Sequence, residues 1–369
     1  MDLREGTVGS LVSSFRRDDW AGRSVFLTGH TGFKGSWLVL LLESLGARVH
    51  GYALDPDSGT SMFDATRIAS LLSSDVRADL AELVLLREAM AAASPDVVLH
   101  LAAQPLVREG YKQPLQTFAT NVMGTAHVLE AVRIIPSVRA VVIVTTDKVY
   151  ANDGGGTPFA ETDPLGGDDP YSASKAAAEL VTASFRHSYF LNSPAPRIGS
   201  ARAGNVIGGG DWAPDRLVPD CMRAFAEGQP VHLRYPHASR PWQHVLEPLM
   251  GYLSLADALI DDANAVGAWN FGPPPDDQAA VGDVAERVAR LWSNEAQVLT
   301  DELTAHPHEA GLLALDSSKA AGILGWHRRW NLDRALHETV AWQKHWLSGG
   351  NMQTFSREQI AAYLETPAS

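Results

Sequence analysis

Ser24–Gly35 reads SVFLTGHTGFKG, an apolar run followed at once by glycines at 29, 32 and 35. A short apolar run bounded by turn residues reads as a buried strand. Glycine lets the next stretch of backbone turn sharply and approach a diphosphate. The helix predicted from about Phe33 then offers its N-terminal N–H groups and dipole to the anion. A glycine triplet alone is a weak signal; between a first strand and a first helix it marks a dinucleotide loop. Gly29, Thr31, Gly32, Phe33, Lys34 and Gly35 are therefore candidate cofactor-binding residues.

Outward from this loop, ARVHGYAL, DVVLHLA, AVVIVTT and IGSARA alternate with amphipathic stretches as far as about residue 202. The alternation predicts an α/β fold, a Rossmann-type doubly wound parallel sheet with helices on both faces. Residues 20–204 read as an NAD-binding domain. Beyond Gly204, turns such as GGGDWAPD and FGPPPDD break up shorter elements. Residues 205–348 thus read as a smaller C-terminal α/β substrate-binding part, some segments of which return to the first domain. Residues 349–369 read as a C-terminal helix and tail.

Asp55 stands 20 residues beyond Gly35, after the second strand, where a carboxylate accepts hydrogen bonds from the ribose hydroxyls and favours NAD over NADP. Lys34 and His30 would instead suit a phosphate. Asp79 and Leu80 follow a third strand, and Leu101, Ala102 and Ala103 end the fourth, where small residues leave room for flat rings. Asn121 and Thr145 complete the cofactor-side candidates.

Tyr171 and Lys175 in PYSASKAAAE are four residues apart and share a helical face. The Lys175 cation would favour the Tyr171 phenolate, whose ordinary pKa of about 10 is too high for a base at neutral pH. Both also count as cofactor neighbours. Thr146 ends the fifth strand, at the carboxyl edge where such sheets bind ligands, and is followed by Asp147 and Lys148. An acid and an amine side by side there supply a proton donor and a base that simple hydride transfer does not need.

With 30 basic and 43 acidic side chains, a formal charge of -13 disfavours nucleic-acid binding, which needs a basic surface. No long apolar run suggests a membrane span, and no basic start with an apolar core suggests a signal peptide, so a cytoplasmic location is expected. The single cysteine, Cys221, forms no internal disulfide. His306 and His308 lack further ligands, so no metal is expected.

Longer strings carry a resemblance. TGHTGFKGSWL, AAQPLVREGY, NVMGT, TTDKVY, DPYSASK, RAGNVIGGGDW and RPWQHVLEPL closely resemble bacterial CDP-glucose 4,6-dehydratases from about Trp20 to Ser348. Those enzymes belong to the extended short-chain dehydrogenase/reductases. The resemblance implies a three-step cycle on CDP-glucose. Tyr171 takes the C4 hydroxyl proton as hydride passes to NAD, Lys148 is the C5 base, and Asp147 protonates the departing C6 hydroxyl before hydride returns to C6. It also implies substrate contacts from Gln104, Asn205, Arg216, Arg240 and His306, with Arg216 and Arg240 suited to a diphosphate. A homodimer, or dimer of dimers, built from the helices near 114–134 and 170–191 is implied too. The sequence departs from the pattern at Ala78-Asp79, where Gly-Asp is usual. A 4-epimerase or 4-keto reductase would share Tyr171 and Lys175 without needing Asp147 and Lys148. A non-catalytic NAD-binding protein would need none of the four.

Overall fold

The computed structural model describes residues 15–56, 59–152, 154–191, 196–233, 235–300 and 313–368. Among the described residues twelve strands run in chain order: β1 Ser24–Thr28, β2 Arg48–Ala53, β3 Ser74–Arg77, β4 Val97–His100, β5 Ala140–Val144, β6 Arg197–Ala203, β7 Asn205–Ile207, β8 Val231–Leu233, β9 Ser239–His244, β10 Gly267–Phe271, β11 Gln278–Ala280 and β12 Val298–Thr300. Seven of them form one sheet in the order β3-β2-β1-β4-β5-β6-β10, every neighbouring pair parallel.

β1 and β5 are buried along their whole length, as unbroken apolar runs flanked by helices should be. Alternate residues supply opposite faces. Val25, Leu27, Val142 and Val144 pack into one core with the helices Phe33–Ser44, Leu246–Asp261 and Met352–Glu365; Phe26, Val141 and Ile143 pack into the other with Leu83–Ala93 and Gly124–Val132. The middle of the helix Phe33–Ser44 is apolar on every face because it is enclosed there, Trp37 to Leu42 being fully buried.

The reversal of strand order falls at β1, which pairs with both β2 and β4. Thr28 lies beside Tyr52 on one flank and His100 on the other. Ligands of doubly wound sheets bind outside the carboxyl ends at such a point.

The second part holds a three-stranded sheet, β11-β9-β7, and a β8–β12 pair around its own core with the helices Leu217–Ala226, Val281–Trp292 and Leu332–Leu347. β10 leaves this part and closes the main sheet beside β6. The C-terminal helix is no loose appendage: Met352, Ile360 and Tyr363 are buried in the main core. Among the described residues no helix is long and apolar enough to cross a membrane.

Candidate active site

At the β1 turn Gly29 has φ of +80°, and a Cβ there would lie 2.6 Å from the backbone nitrogen of Ala102. A Cβ on Gly35 would lie 2.0 Å from the carbonyl oxygen of Gly29. Only glycine allows this approach, and it leaves a concave backbone cradle at the start of the helix Phe33–Ser44. The N-cap residue, Gly32, brings no side-chain acceptor of its own, so the helix end faces outward as an anion site. Together with half-buried Leu101, Ala102 and Ala103 at the end of β4, the cradle fits a dinucleotide.

Asp169 caps the helix Pro170–Phe185, accepting 3.0 Å from the Ser172 N–H, and Pro170 starts it with a preset φ. This fixes Tyr171 and Lys175 on the buried face. Asn121, in a π-turn over Ala119–Met123, accepts from the Gln104 N–H at 2.8 Å and donates to Ser174 Oγ at 2.8 Å. Ser174 in turn donates to the Tyr171 carbonyl oxygen at 2.7 Å.

β5 stops at Val144, and Thr146 caps a short 3-10 turn, Asp147–Val149. The Thr146 hydroxyl donates 2.9 Å to Oδ1 of Asp147 and is hydrogen-bonded to the Tyr171 phenol. Oδ2 of Asp147 is buried and has no partner. Burial raises Asp147 above the usual carboxylate range, against the pull of Lys148, Thr146, Lys34 and Arg240. Asp147 is thereby biased toward holding a proton.

One sequence expectation is corrected here. Helical spacing alone does not bias Tyr171 toward phenolate: burial pushes it up to about 12, with the Thr146 hydroxyl opposing. The Lys175 ammonium donates 3.2 Å to the Val144 carbonyl, and burial pushes it down to about 8.

The second part contributes cations to the same place. Arg216 pairs with Asp211 at 2.7 Å, and its charge acts on both Lys34 and Tyr171; buried Arg240 acts on Asp147. Lys34 also faces Asp147 and Lys175 and is pushed down to about 8, chiefly by burial. Asn205 is half-buried at the start of β7, next to Gly204.

Other candidates stand apart. The Asp55 side chain is 85% exposed and pairs with Arg77 at 3.6 Å. Asp79 accepts from the Ala81 N–H at 2.8 Å, and the Leu80 carbonyl accepts from His127 at 2.9 Å. The Gln104 amide donates to Leu106 O in its own loop and to Thr117 Oγ1 on the helix Pro114–Phe118. The Thr145 hydroxyl is committed to Glu179, so any cofactor contact from Thr145 is through its backbone. His306 lies outside the described residues. In RPWQHVLEPL, Arg240 acts on Asp147 and Pro241 lies beside Gly204, whereas Trp242, Gln243 and Glu247 bond inward to Ala279, Phe271 and Trp330. Among the described residues no cluster of potential metal ligands is found.

Sequence reading missed Gly204, Glu179 and Arg202. A charged residue inside the apolar run of β6 was the available signal for Arg202, since a buried charge requires a partner.

A glycine cradle, a tyrosine–lysine pair and a buried carboxyl at the carboxyl edge of a parallel sheet define a Rossmann-type enzyme equipped for both hydride and proton transfer. The GDP-mannose 4,6 dehydratase family matches residues 26–339, and the chain belongs to that family of nucleotide-sugar dehydratases. It is 47% identical over 350 residues to the CDP-glucose 4,6-dehydratase of Salmonella typhimurium, covering 94% of this chain and 97% of the relative. MoeE5, solved in complex with UDP-glucose and NAD, is 25% identical with a TM-score of 0.73, over 88% of this chain and 99% of its own. The UDP-glucose-4-epimerase of Stenotrophomonas maltophila shares the fold at 22% identity and a TM-score of 0.77, over 89% and 100% of the two chains.

Proposed function

We propose that the chain is an NAD-dependent hydro-lyase that converts CDP-D-glucose to CDP-4-keto-6-deoxy-D-glucose and water. The observation that carries this reading is Asp147, buried with one unpartnered oxygen and inclined to keep its proton, beside Lys148 and one residue from Thr146. The choice of CDP-glucose draws on the 47% identical relative.

When bound, NAD supplies the hydride acceptor for oxidation at C4 and the donor for reduction at C6. The glycine cradle and the start of the helix Phe33–Ser44 would hold its diphosphate. Tyr171 removes the C4 hydroxyl proton; the Lys175 cation one turn along and the Thr146 hydroxyl are the groups that favour its anion, and both act more strongly once water is expelled. The resulting ketone acidifies the C5 hydrogen, which Lys148 removes. Asp147 gives its proton to the C6 hydroxyl, which leaves as water. Arg216 and Arg240 bind the diphosphate of the sugar nucleotide.

Incubation with CDP-glucose deuterated at C4 tests the reading. Deuterium recovered at C6 of a 4-keto-6-deoxy product supports it. Deuterium retained at C4 of a galacto product would mean an epimerase, and label released on free reduced cofactor a dehydrogenase. Parallel assays with the dTDP, UDP and GDP sugars test the base.

The chain is further proposed to act as a cytoplasmic homodimer whose product feeds deoxysugars of surface polysaccharides. Supporting the dimer, Leu115, Phe118, Met123, Leu180 and Tyr189 stand exposed on the adjoining segments Pro114–Met123 and Pro170–Phe190.

A further inference from the structure

Behind the Tyr171 helix lies a buried polar network that the reaction cycle does not use. Glu179 follows Lys175 by four residues, on the same helical face, and is buried. Its carboxylate accepts four hydrogen bonds: from Thr145 Oγ1 at 2.6 Å, from Ser200 Oγ at 2.6 Å, and from the Nε and one terminal nitrogen of Arg202 at 3.0 Å each. Arg202, equally buried on β6, is held from behind: its other terminal nitrogen donates to the Tyr150 hydroxyl at 2.7 Å, and Tyr150 donates to Asn270 at 2.7 Å.

The network meets the site at two consecutive residues. Val144 accepts from Lys175 Nζ through its carbonyl, and Thr145 donates to Glu179 through its hydroxyl. Thr146, Asp147 and Lys148 come next in the chain. Two successive helical turns thus grip the two residues that aim the turn Asp147–Val149. A buried ion pair adds little stability over well-packed apolar residues, so stability alone does not account for placing one here.

We propose that Glu179, clamped by Arg202, Thr145 and Ser200, is a positioning residue that keeps the Lys175 ammonium charged and in place behind Tyr171. It thereby sets the alkaline limit of the pH window of the oxidation step. This rests on the reading of Tyr171 and Lys175 as the oxidation pair.

The charged and titratable groups around Lys175 are Tyr171 one turn before, Glu179 one turn after, His100 at the end of β4 and Lys34 from the glycine loop. Around Glu179 are Arg202 and Arg186, with Tyr150 and Glu161 beyond the guanidinium. His100 is held neutral by burial and Lys34 is a second cation. Against burial, Glu179 is the anion that raises Lys175.

The test is the pH profile of single-turnover cofactor reduction with CDP-glucose. In E179Q, which keeps the shape and removes the charge, the Lys175 ammonium loses its proton earlier. The alkaline limb should move to lower pH, by about one unit. Because E179Q strands the Arg202 cation, the double variant E179L/R202M, which removes both charges, is measured beside it and should show the same shift in a folded protein. An alkaline limb unmoved in the double variant, with a lowered melting temperature only, would overturn the proposal and leave Glu179 a structural residue. K175M separates the two claims: reduction retained in K175M overturns the oxidation pair itself, whereas loss there with an unmoved alkaline limb in E179L/R202M overturns the role of Glu179 alone.

Discussion

Gly204 lies against the free carboxylate oxygen of Asp147: a Cβ at position 204 would come within 2.9 Å of Oδ2 and 3.1 Å of Pro241 Cγ. The space that Asp147 needs is left open by the residue between β6 and β7, where the two parts of the chain meet.

G204A should therefore push the Asp147 carboxyl aside. The methyl meets the end of a side chain rather than backbone, so the fold should survive, with the melting temperature lowered by no more than about 4 °C, roughly 1 kcal/mol. Turnover should fall by at least about tenfold, the scale on which a displaced proton donor acts. Wild-type kcat in G204A would show that Asp147 does not work through the oxygen facing Gly204.

Replacing the acid itself should separate the steps. In D147N the phosphate cradle and the Tyr171 helix are untouched, so cofactor binding and C4 oxidation should persist. Elimination should slow by about 10²- to 10⁴-fold. Reduced nicotinamide absorbance should build up on mixing with substrate and decay slowly. A variant that dehydrates at the normal rate excludes Asp147 as the acid.

Stability should fall in mild acid because of buried histidines. His100, between the hydroxyls of Thr28 and Thr125, and His244, against Trp37 and Trp330, are each driven by burial from 6.5 to about 3. The unfolded chain protonates first, so their contribution is full above pH 6.5 and is lost as pH falls toward 3. Glu247, raised by burial to about 7, works in the opposite sense between about 7 and its ordinary 4.5. Urea midpoints at pH 7.5 and 5 should accordingly drop less in H100Q, and more in E247Q, than in wild type. An H100Q profile parallel to wild type would show that His100 does not stay neutral.

The dimer proposal has a direct consequence for Leu115, 84% exposed, and Leu180, 61% exposed. L115E/L180E should elute as a monomer by size exclusion with light scattering, because charges desolvated at an interface oppose association. An unchanged mass would move the interface elsewhere.

The doubly wound parallel sheet and the glycine loop were legible because each depends on a local signal: unbroken apolar strands alternating with amphipathic stretches, and glycines spaced between a strand and a helix. The Tyr171–Lys175 spacing was legible for the same reason. What stayed hidden depends on contacts distant in the chain. β10, only five residues long, is a strand of the main sheet because β6 lies beside it, which GAWNF alone does not announce. The inward bonds of Trp242, Gln243 and Glu247 separate a packing string from a binding string, a distinction that needs coordinates. The Tyr171 phenolate expectation failed because spacing reports that Lys175 is near, while desolvation, which dominates both groups, is a property of the assembled core.

The π-turn at Ala119–Met123 holds one residue more than a regular turn, and it stands between two stretches with different duties. Upstream, Leu115 and Phe118 face outward; downstream, Thr125 supports His100 and Val128 fills the core. Losing a single residue there would turn the upstream stretch by about 100° relative to Asn121. A one-residue deletion in this turn is therefore a heavier perturbation than any single substitution on the outward surface, because it re-aims every upstream side chain while leaving the contact residues themselves unchanged.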